Sequence, residues 1–214
     1  MNRFAHMAFV ICALTFLSLA YGCFGGPGPA EKYLRLSLDT QGALKDARMA
    51  DSDNGNRLVL AVKELAQLPA LDRTAVLLAD GSVLTPSTTW YWEGTPADVL
   101  AQALVHGLSR SPTYKVVWPY RPRISRKAQV SGRVLSFEVR SEGERFFTLA
   151  FHLDLWDAQG KMWLAGKTFQ GRREIQGFSA GTVAEAASLA VASAVQDAVA
   201  WLESQAGKVR EHGR

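Results

Sequence analysis

The sequence predicts an α/β domain in which a mixed, largely antiparallel sheet is covered by two main helices. Residues 147–155 alternate strictly between apolar and polar, the pattern of a strand that is apolar on one face only. Two other segments have apolar residues at helical spacing and begin with capping residues, at Thr95 and Thr182. The chain has 214 residues, of which 48% are hydrophobic, enough for one domain with its own core.

The strands are separated by turn-forming residues. The predicted strands cover residues 32–38, 58–65, 74–79, 83–90, 114–118, 130–139, 147–155 and 162–169. Asp80-Gly81 is a hairpin signal, and Pro86 either places the following strand at an edge of the sheet or ends it early. The apolar phase shifts between Val134 and Leu135, which predicts a β-bulge. Residues 39–56 and 171–181 are predicted to be loops.

Two helices follow from capping and spacing. Thr95 is a good N-cap, Pro96 suits the first helical position, and Ser111-Pro112 ends this helix. A long Ala-rich helix is predicted over residues 183–205, with a capping box formed by Thr182 and Glu185. Its small residues allow close packing on a sheet. Residues 208–214 form a charged tail that is expected to fray.

The N-terminus has the pattern of an export signal. Arg3 precedes an apolar run from Met7 to Ala20, and small residues follow. This run is too short for a spanning helix, and no later segment is expected to span a membrane. We therefore predict a signal peptide over residues 1–22.

Cys23 is the predicted lipidation site. Leu19-Ala20-Tyr21-Gly22-Cys23 resembles a lipobox, in which the thiol is acylated before cleavage. The other cysteine, Cys12, is lost with the signal, so the mature chain has a lone cysteine that needs an explanation. The alternative is an ordinary secreted protein with an incidental cysteine. The predicted division is residues 23–31 as lipidated Cys and Gly/Pro tether, 32–206 as domain and 207–214 as tail.

Composition and motifs argue against several other functions. The net charge of +4 is mild and scattered, so no nucleic acid partner is predicted. Ser179 lies in a G-x-S-x-G motif and is followed by Asp197 and His212, but the predicted context is not the strand-to-helix turn that a serine esterase needs. We predict no catalytic residue. The histidines lack metal-ligand spacing, so no metal or cofactor is predicted.

Aromatic residues are the candidate interaction residues. Trp90 and Trp92 precede the first helix, and Trp118 and Tyr120 lie in a loop rich in Pro and Arg. Trp, Tyr and Arg are enriched at binding hot spots. The alternative is that these aromatics pack into the core, which is favoured for Trp90 and Trp92 and evenly balanced for the other two.

The chain from Tyr33 to about Leu202 resembles the ABC-type transport auxiliary lipoproteins, the partners of MCE-protein lipid-transport systems. The segment with Pro69, Leu71-Asp72-Arg73 and Trp92-Glu93 is the most specific part. Tyr33-Leu34-Arg35-Leu36, residues 62–69, Asp80-Gly81 and Phe137-Glu138 add to the likeness.

The resemblance implies a non-enzymatic lipoprotein on the periplasmic face of the outer membrane. It implies contact with an MCE-family protein of an ABC-type phospholipid transporter, and a fold like the N-terminal domain of the Tol-system propeller protein. Phe24, rather than Asp, after the acylated Cys23 is similar to the outer-membrane sorting state. A homo-oligomer is compatible with this role. The alternative function is an adaptor or activator of another envelope machine, such as peptidoglycan synthesis, and a serine esterase ranks third.

Overall fold

A computed structural model describes residues 30–37 and 57–212 of the chain. The chain divides into two compact units, residues 1–31 and 32–214, and all the elements below belong to the second. The predicted signal peptide, Cys23, almost all of the tether and the predicted loop 39–56 lie outside the described residues.

The described residues form eight strands in one sheet and three helices. The strands are β1 (Lys32–Leu34), β2 (Leu58–Gln67), β3 (Ala75–Asp80), β4 (Val83–Trp92), β5 (Tyr114–Val117), β6 (Ala128–Glu142), β7 (Glu144–Asp157) and β8 (Trp163–Glu174). The helices are α1 (Pro96–Ser109), α2 (Ala180–Ser204) and α3 (Ala206–His212), and a 3₁₀ turn covers Pro69–Leu71. The mixed α/β class is therefore confirmed.

The sheet is organised around β6, which is longer than any other strand of the described chain. One edge of β6 pairs antiparallel with β7, and β7 pairs antiparallel with β8. The other edge of β6 pairs in parallel with β2 over its first half and with β3 over its second half. The short strand β5 extends the sheet beyond β2, and β4 and then β1 extend it beyond β3.

The turn and bulge predictions are confirmed. Gly81 has a φ of 54° at the hairpin that joins β3 to β4, a conformation that glycine adopts without steric cost. The register of β6 against β7 shifts between Val134 and Ser136, so Leu135 is the extra residue of a bulge. Pro86 pairs with β3, whereas β1 reaches β4 only at residues 90–92. Among the described strands, the segment around Pro86 therefore has a neighbour on one side only, as predicted.

Helix α1 forms as predicted. The Thr95 hydroxyl accepts a hydrogen bond from the Asp98 N–H, and the Asp98 carboxylate accepts one from the Thr95 N–H. This capping box satisfies backbone donors at the helix start. The apolar face of α1 is buried, and its members are Val99, Leu100, Ala103, Leu104 and Leu108.

Helix α2 begins earlier than predicted. Its capping box is formed by Ser179 and Thr182, not by Thr182 and Glu185. The strand before it is also longer than predicted, because β8 continues through Gly171 to Glu174. The predicted loop 171–181 is therefore wrong over much of its length. Strand β1 is shorter than predicted and ends at Leu34.

Two further corrections concern the C-terminal third of the domain. By length and composition, α2 is apolar enough to cross a membrane, contrary to the sequence prediction, but half of that apolar window is buried inside the domain. Its apolar character is that of a core helix. The predicted frayed tail is instead α3 up to His212, because Ala206 and Val209 are buried.

Candidate functional site

The four aromatic residues named from the sequence lie in different environments. Trp92 is only 1% exposed, and its ring meets those of Phe137 and Phe147 edge-on at 5.1 and 5.8 Å. Trp90 is half-buried and contacts Phe178 at 4.9 Å between ring centroids. Both belong to the packed interior or its rim, which matches the core alternative. Cys23, the predicted lipidation site, lies outside the described residues.

The Pro- and Arg-rich loop between β5 and β6 carries the other two aromatics. Trp118 is 40% exposed, and Ile124 in the same loop is also exposed. Tyr120 is half-buried, with the Arg126 guanidinium 4.9 Å and the Lys63 ammonium 5.4 Å from its ring centre. Such cation–π contacts hold an aromatic ring in one position.

Arg126 fixes the shape of this loop. Its Nε donates to the Ala158 carbonyl at 3.0 Å, and its Nη2 donates to the Tyr120 hydroxyl at 3.0 Å. Its Nη1 donates to the carbonyl oxygens of Pro122 and Ile124 at 3.1 and 3.3 Å. One guanidinium thus ties the loop to itself and to the turn after β7, so the loop presents Trp118 and Ile124 on a fixed support.

The same end of the sheet exposes a second pair of apolar residues, which sequence reasoning missed. Trp163 is 56% exposed, and its neighbour Met162 is exposed as well. The Trp163 Nε1 donates to Asp154 at 2.8 Å, which holds the ring on the outer, polar face of the sheet. Residues Trp118, Tyr120, Ile124, Met162 and Trp163 are called the distal surface below. In the sequence, 38 positions separate Ile124 from Met162, and the pairing of β6, β7 and β8 brings the loop and the Met162–Trp163 pair to one end of the sheet.

The Asp157 carboxylate stabilises the turn that leads from β7 to Met162. Asp157 accepts hydrogen bonds from the N–H groups of Lys161 at 2.7 Å and Met162 at 3.2 Å. Desolvation opposes ionisation of this group, but the bonds from Lys161, Met162, Gly160 and Gln159 outweigh it and lower the pKa of Asp157. The charged carboxylate therefore supports the turn at neutral pH.

Charge near the distal surface is mostly basic. Arg121 and Arg123 are exposed in the loop, and Lys63 and Arg126 flank Tyr120. The nearby Asp157 carboxylate is already occupied by backbone donors. Exposed tryptophan and methionine beside arginine are residue types enriched at protein-binding surfaces.

Two of the grooves on the described domain lie away from the distal surface. One, of about 520 Å³, lies on the outer face of β6–β8 and contains the Arg140–Glu138 ion pair and Arg172 stacked on Phe146. The other, of about 560 Å³, lies between α1 and α2 and is lined by small and apolar residues together with His106, Arg110, Gln196 and Glu203. Neither groove holds a cluster of His, Cys, Asp and Glu, since no such metal-ligating group occurs among the described residues.

The G-x-S-x-G motif has a structural role. The Ser179 hydroxyl caps α2 by accepting from the Thr182 N–H at 3.2 Å. Asp197 lies 18 residues further along the same helix, a separation of about 27 Å at 1.5 Å per residue. The His212 Nδ1 lies 2.9 Å from the Lys208 carbonyl oxygen, at the end of α3. The described geometry does not assemble the three residues into a triad.

Two solved structures are similar to this chain in fold. Protein XCC0632 from Xanthomonas campestris matches with a TM-score of 0.64 and 16% identity, over 74% of this chain and 92% of that chain. A crystal structure of an uncharacterized protein matches with a TM-score of 0.63 and 16% identity, over 81% of this chain and 99% of that one. At this identity the likeness shows the fold alone.

No curated protein matches the sequence. The family model described as the ABC-type transport auxiliary lipoprotein component matches residues 43–199, which is most of the chain and includes all strands except β1, the whole of α1 and all but the last five residues of α2. The resemblance seen in the sequence is thereby confirmed, and the chain belongs to the ABC-type transport auxiliary lipoprotein family.

Proposed function

We propose that this protein is a non-enzymatic auxiliary lipoprotein of an ABC/MCE-type system that moves phospholipid between the two bacterial membranes. In this proposal, Cys23 carries the acyl chains and holds the domain on the periplasmic face of the outer membrane. The domain then acts as an interaction module for an MCE-family protein. The same proposal includes a fold relationship to the N-terminal domain of the Tol-system propeller protein.

One observation supports this proposal above all others. A lipobox-like sequence at Leu19–Cys23 comes directly before a domain of the transport auxiliary lipoprotein family. Each buried methylene contributes about 0.8 kcal/mol, so the acyl chains on one cysteine hold a domain on a membrane durably. Anchoring also raises the local concentration of the domain near partners in the envelope.

The distal surface is the proposed contact for the MCE-family partner. It combines exposed Trp118, Ile124, Met162 and Trp163 with arginine, and Arg126 holds its loop in place. Because Arg126 already holds this loop in one conformation, the loop loses little conformational entropy when a partner binds, and this favours affinity.

The experiment is a pull-down from envelope extracts with the intact, lipidated protein. We expect an MCE-family protein to be recovered with the wild type and lost with the double variant Ile124→Asp, Trp163→Ser. Leu189→Asp is a matched control, because Leu189 is 54% exposed but lies on α2, outside the distal surface. Recovery of cell-wall synthesis enzymes instead of an MCE protein would contradict the proposal.

The anchor is tested separately by mass spectrometry of the mature N-terminus. We expect a diacylated or triacylated Cys23 in the wild type, and an unprocessed or soluble protein for Cys23→Ala. A free thiol at Cys23, or a mature chain that begins after it, would remove the membrane part of the proposal.

A further inference from the structure

The N-terminal end of β1 and the distal surface lie toward opposite ends of the sheet. Strand β1 runs parallel to β4, and β4 runs away from the hairpin that contains Gly81. The N-terminal end of β1 therefore points toward that hairpin. β6 runs from the loop that carries Trp118 and Tyr120 to the end of the sheet where the Arg140 Nη2 donates to the Gly81 carbonyl at 3.1 Å.

The hairpin end exposes its own apolar residues. Val83 at the hairpin tip is 64% exposed, and the adjacent Leu84 is also exposed. Phe178, just before α2, is exposed on the same end, and the Arg145 guanidinium lies 4.2 Å from the centre of its ring. A cleft of about 370 Å³ lies at this end of the sheet and is lined by Asp80, Thr85, Arg145 and Phe178 among others. Val83, Leu84, Arg145 and Phe178 are called the hairpin surface.

The number of residues between Cys23 and β1 is sufficient to reach the level of this surface. Lys32 pairs with Trp90, and β3 extends from the level of Trp90 to Asp80, so the hairpin tip lies roughly 15 Å beyond Lys32 at 3.3 Å per residue. Nine residue steps separate Cys23 from Lys32, and at no more than about 3.6 Å per residue they can span up to roughly 32 Å. This reach exceeds the distance from Lys32 to the hairpin tip, so an acyl group on Cys23 and the hairpin tip can meet the same bilayer.

We propose that the hairpin surface rests on the lipid bilayer that holds the anchor. This inference rests on the lipidation of Cys23 in the proposed function and adds which end of the domain meets the membrane. Val83, Leu84 and Phe178 enter the interfacial region with their apolar side chains, and Arg145 sits at the level of the lipid phosphates. The distal surface is then directed away from the membrane, toward a partner across the periplasm.

The test uses the mature lipoprotein in vesicles of phosphatidylethanolamine and phosphatidylglycerol that contain acyl-chain quenchers. Because Cys12 is removed and Cys23 is acylated, a cysteine introduced by Val83→Cys is the single free thiol and accepts a fluorescent label. The matched control is Gln159→Cys, which is exposed in the turn near the distal surface. Since interfacial groups reach roughly 5–10 Å into the headgroup boundary, we expect about threefold stronger lipid quenching at position 83 than at 159.

The substitution Leu84→Asp in the Val83→Cys background removes apolar surface without touching the anchor. We expect weaker quenching and unchanged flotation with the vesicles. Equal quenching at positions 83 and 159 in floated protein would overturn the orientation. A label at 83 that is shielded from water but not quenched by lipid would overturn it too, because a protein would then cover the hairpin. Failure to float at all indicates an unacylated Cys23, which overturns the proposed anchor, and this inference falls with it.

Discussion

At the scale of single residues, Tyr114 and Ser111 fasten the start of β5 to the end of α2. The buried Tyr114 hydroxyl donates to the Leu202 carbonyl at 2.8 Å, and Ser111 bonds the Glu203 carboxylate at 2.5 Å. Burial, aided by the charge of Glu203 and opposed by that of Arg210, raises the pKa of Tyr114 to about 12. The neutral phenol is therefore part of the folded structure.

Alkaline pH should weaken the protein through this residue. Because the folded pKa of Tyr114 lies above its unfolded value of about 10, the stabilisation is complete below pH 10 and is lost between about pH 10 and pH 12, by roughly 2 kcal/mol. We expect Tyr114→Phe to lower the free energy of unfolding by about 1 kcal/mol near neutrality, since the Leu202 carbonyl loses its donor.

Urea unfolding of wild type and variant at about pH 8 and about pH 11 checks this, because the variant should lose less stability between the two. Tyr91→Phe is the control, since the Tyr91 hydroxyl bonds the Thr88 carbonyl on the exposed side of the sheet. An equal alkaline loss in Tyr114→Phe and wild type would contradict the assignment.

At the scale of elements, the close packing of α2 on β8 depends on small residues on both sides. A Cβ on Gly171 would lie 2.6 Å from the Ala190 carbonyl oxygen and 3.0 Å from Leu149. Ala187, Ala190, Val191 and Ala194 are all buried along this face of the helix. Glycine in the strand therefore allows the helix backbone to approach the sheet.

Gly171→Ala should destabilise the domain by about 2–3 kcal/mol, because backbone atoms cannot yield as a flexible side chain can. Gly207→Ala is a matched control: Gly207 lies in α3, and a Cβ there meets nothing within 4 Å. Alanine at this helical position should be neutral or stabilising by up to about 1 kcal/mol. Thermal unfolding of both variants measures the difference, and a Gly171→Ala protein as stable as wild type would show that the helix can shift.

Sequence reasoning located these elements well where one local rule dominated. The phase shift at Leu135 predicted the bulge, and Thr95 with Pro96 predicted the start of α1. Sequence reasoning placed the start of α2 wrongly because two rules competed there. Thr182 can serve as an N-cap residue or as the third residue of a capping box, and the position of Ser179 decides for the second role.

A competition between two rules also explains the wrong loop prediction at Gly171. Gly171 is typical of a loop in sequence, but in the fold it makes room for α2.

The distal surface could be predicted only in part. Trp118 and Tyr120 stand out in their Arg-rich loop, whereas Met162 and Trp163 become neighbours of that end only through the pairing of β7 with β8.

At the scale of the whole molecule, the two proposed surfaces lie at opposite ends of β6. Fifteen strand residues span about 45 Å, well beyond the distance over which substitutions usually couple. Membrane contact and partner contact should therefore be separable by mutation.

We expect the unlipidated domain, made without residues 1–22 and with Cys23→Ser, to bind the proposed MCE-family partner in solution. Its dissociation constant should lie within about twofold of that of the lipidated form in detergent. Ile124→Asp, Trp163→Ser should abolish binding in both forms. Isothermal titration calorimetry measures the two affinities. A tenfold or larger loss on removing the lipid would mean that the anchor itself takes part in the partner contact.

The arrangement of β2 and β3 along a single edge of β6 has a mechanical consequence. Tension between Lys32 and the loop after β5 would pass along β1, β4, β3 and β6 in directions nearly parallel to the strands. Hydrogen bonds of these ladders would then be loaded in shear and would share the force, instead of opening one after another. If the anchor and the partner of the proposed function pull the domain from opposite ends, the sheet should therefore resist the pull.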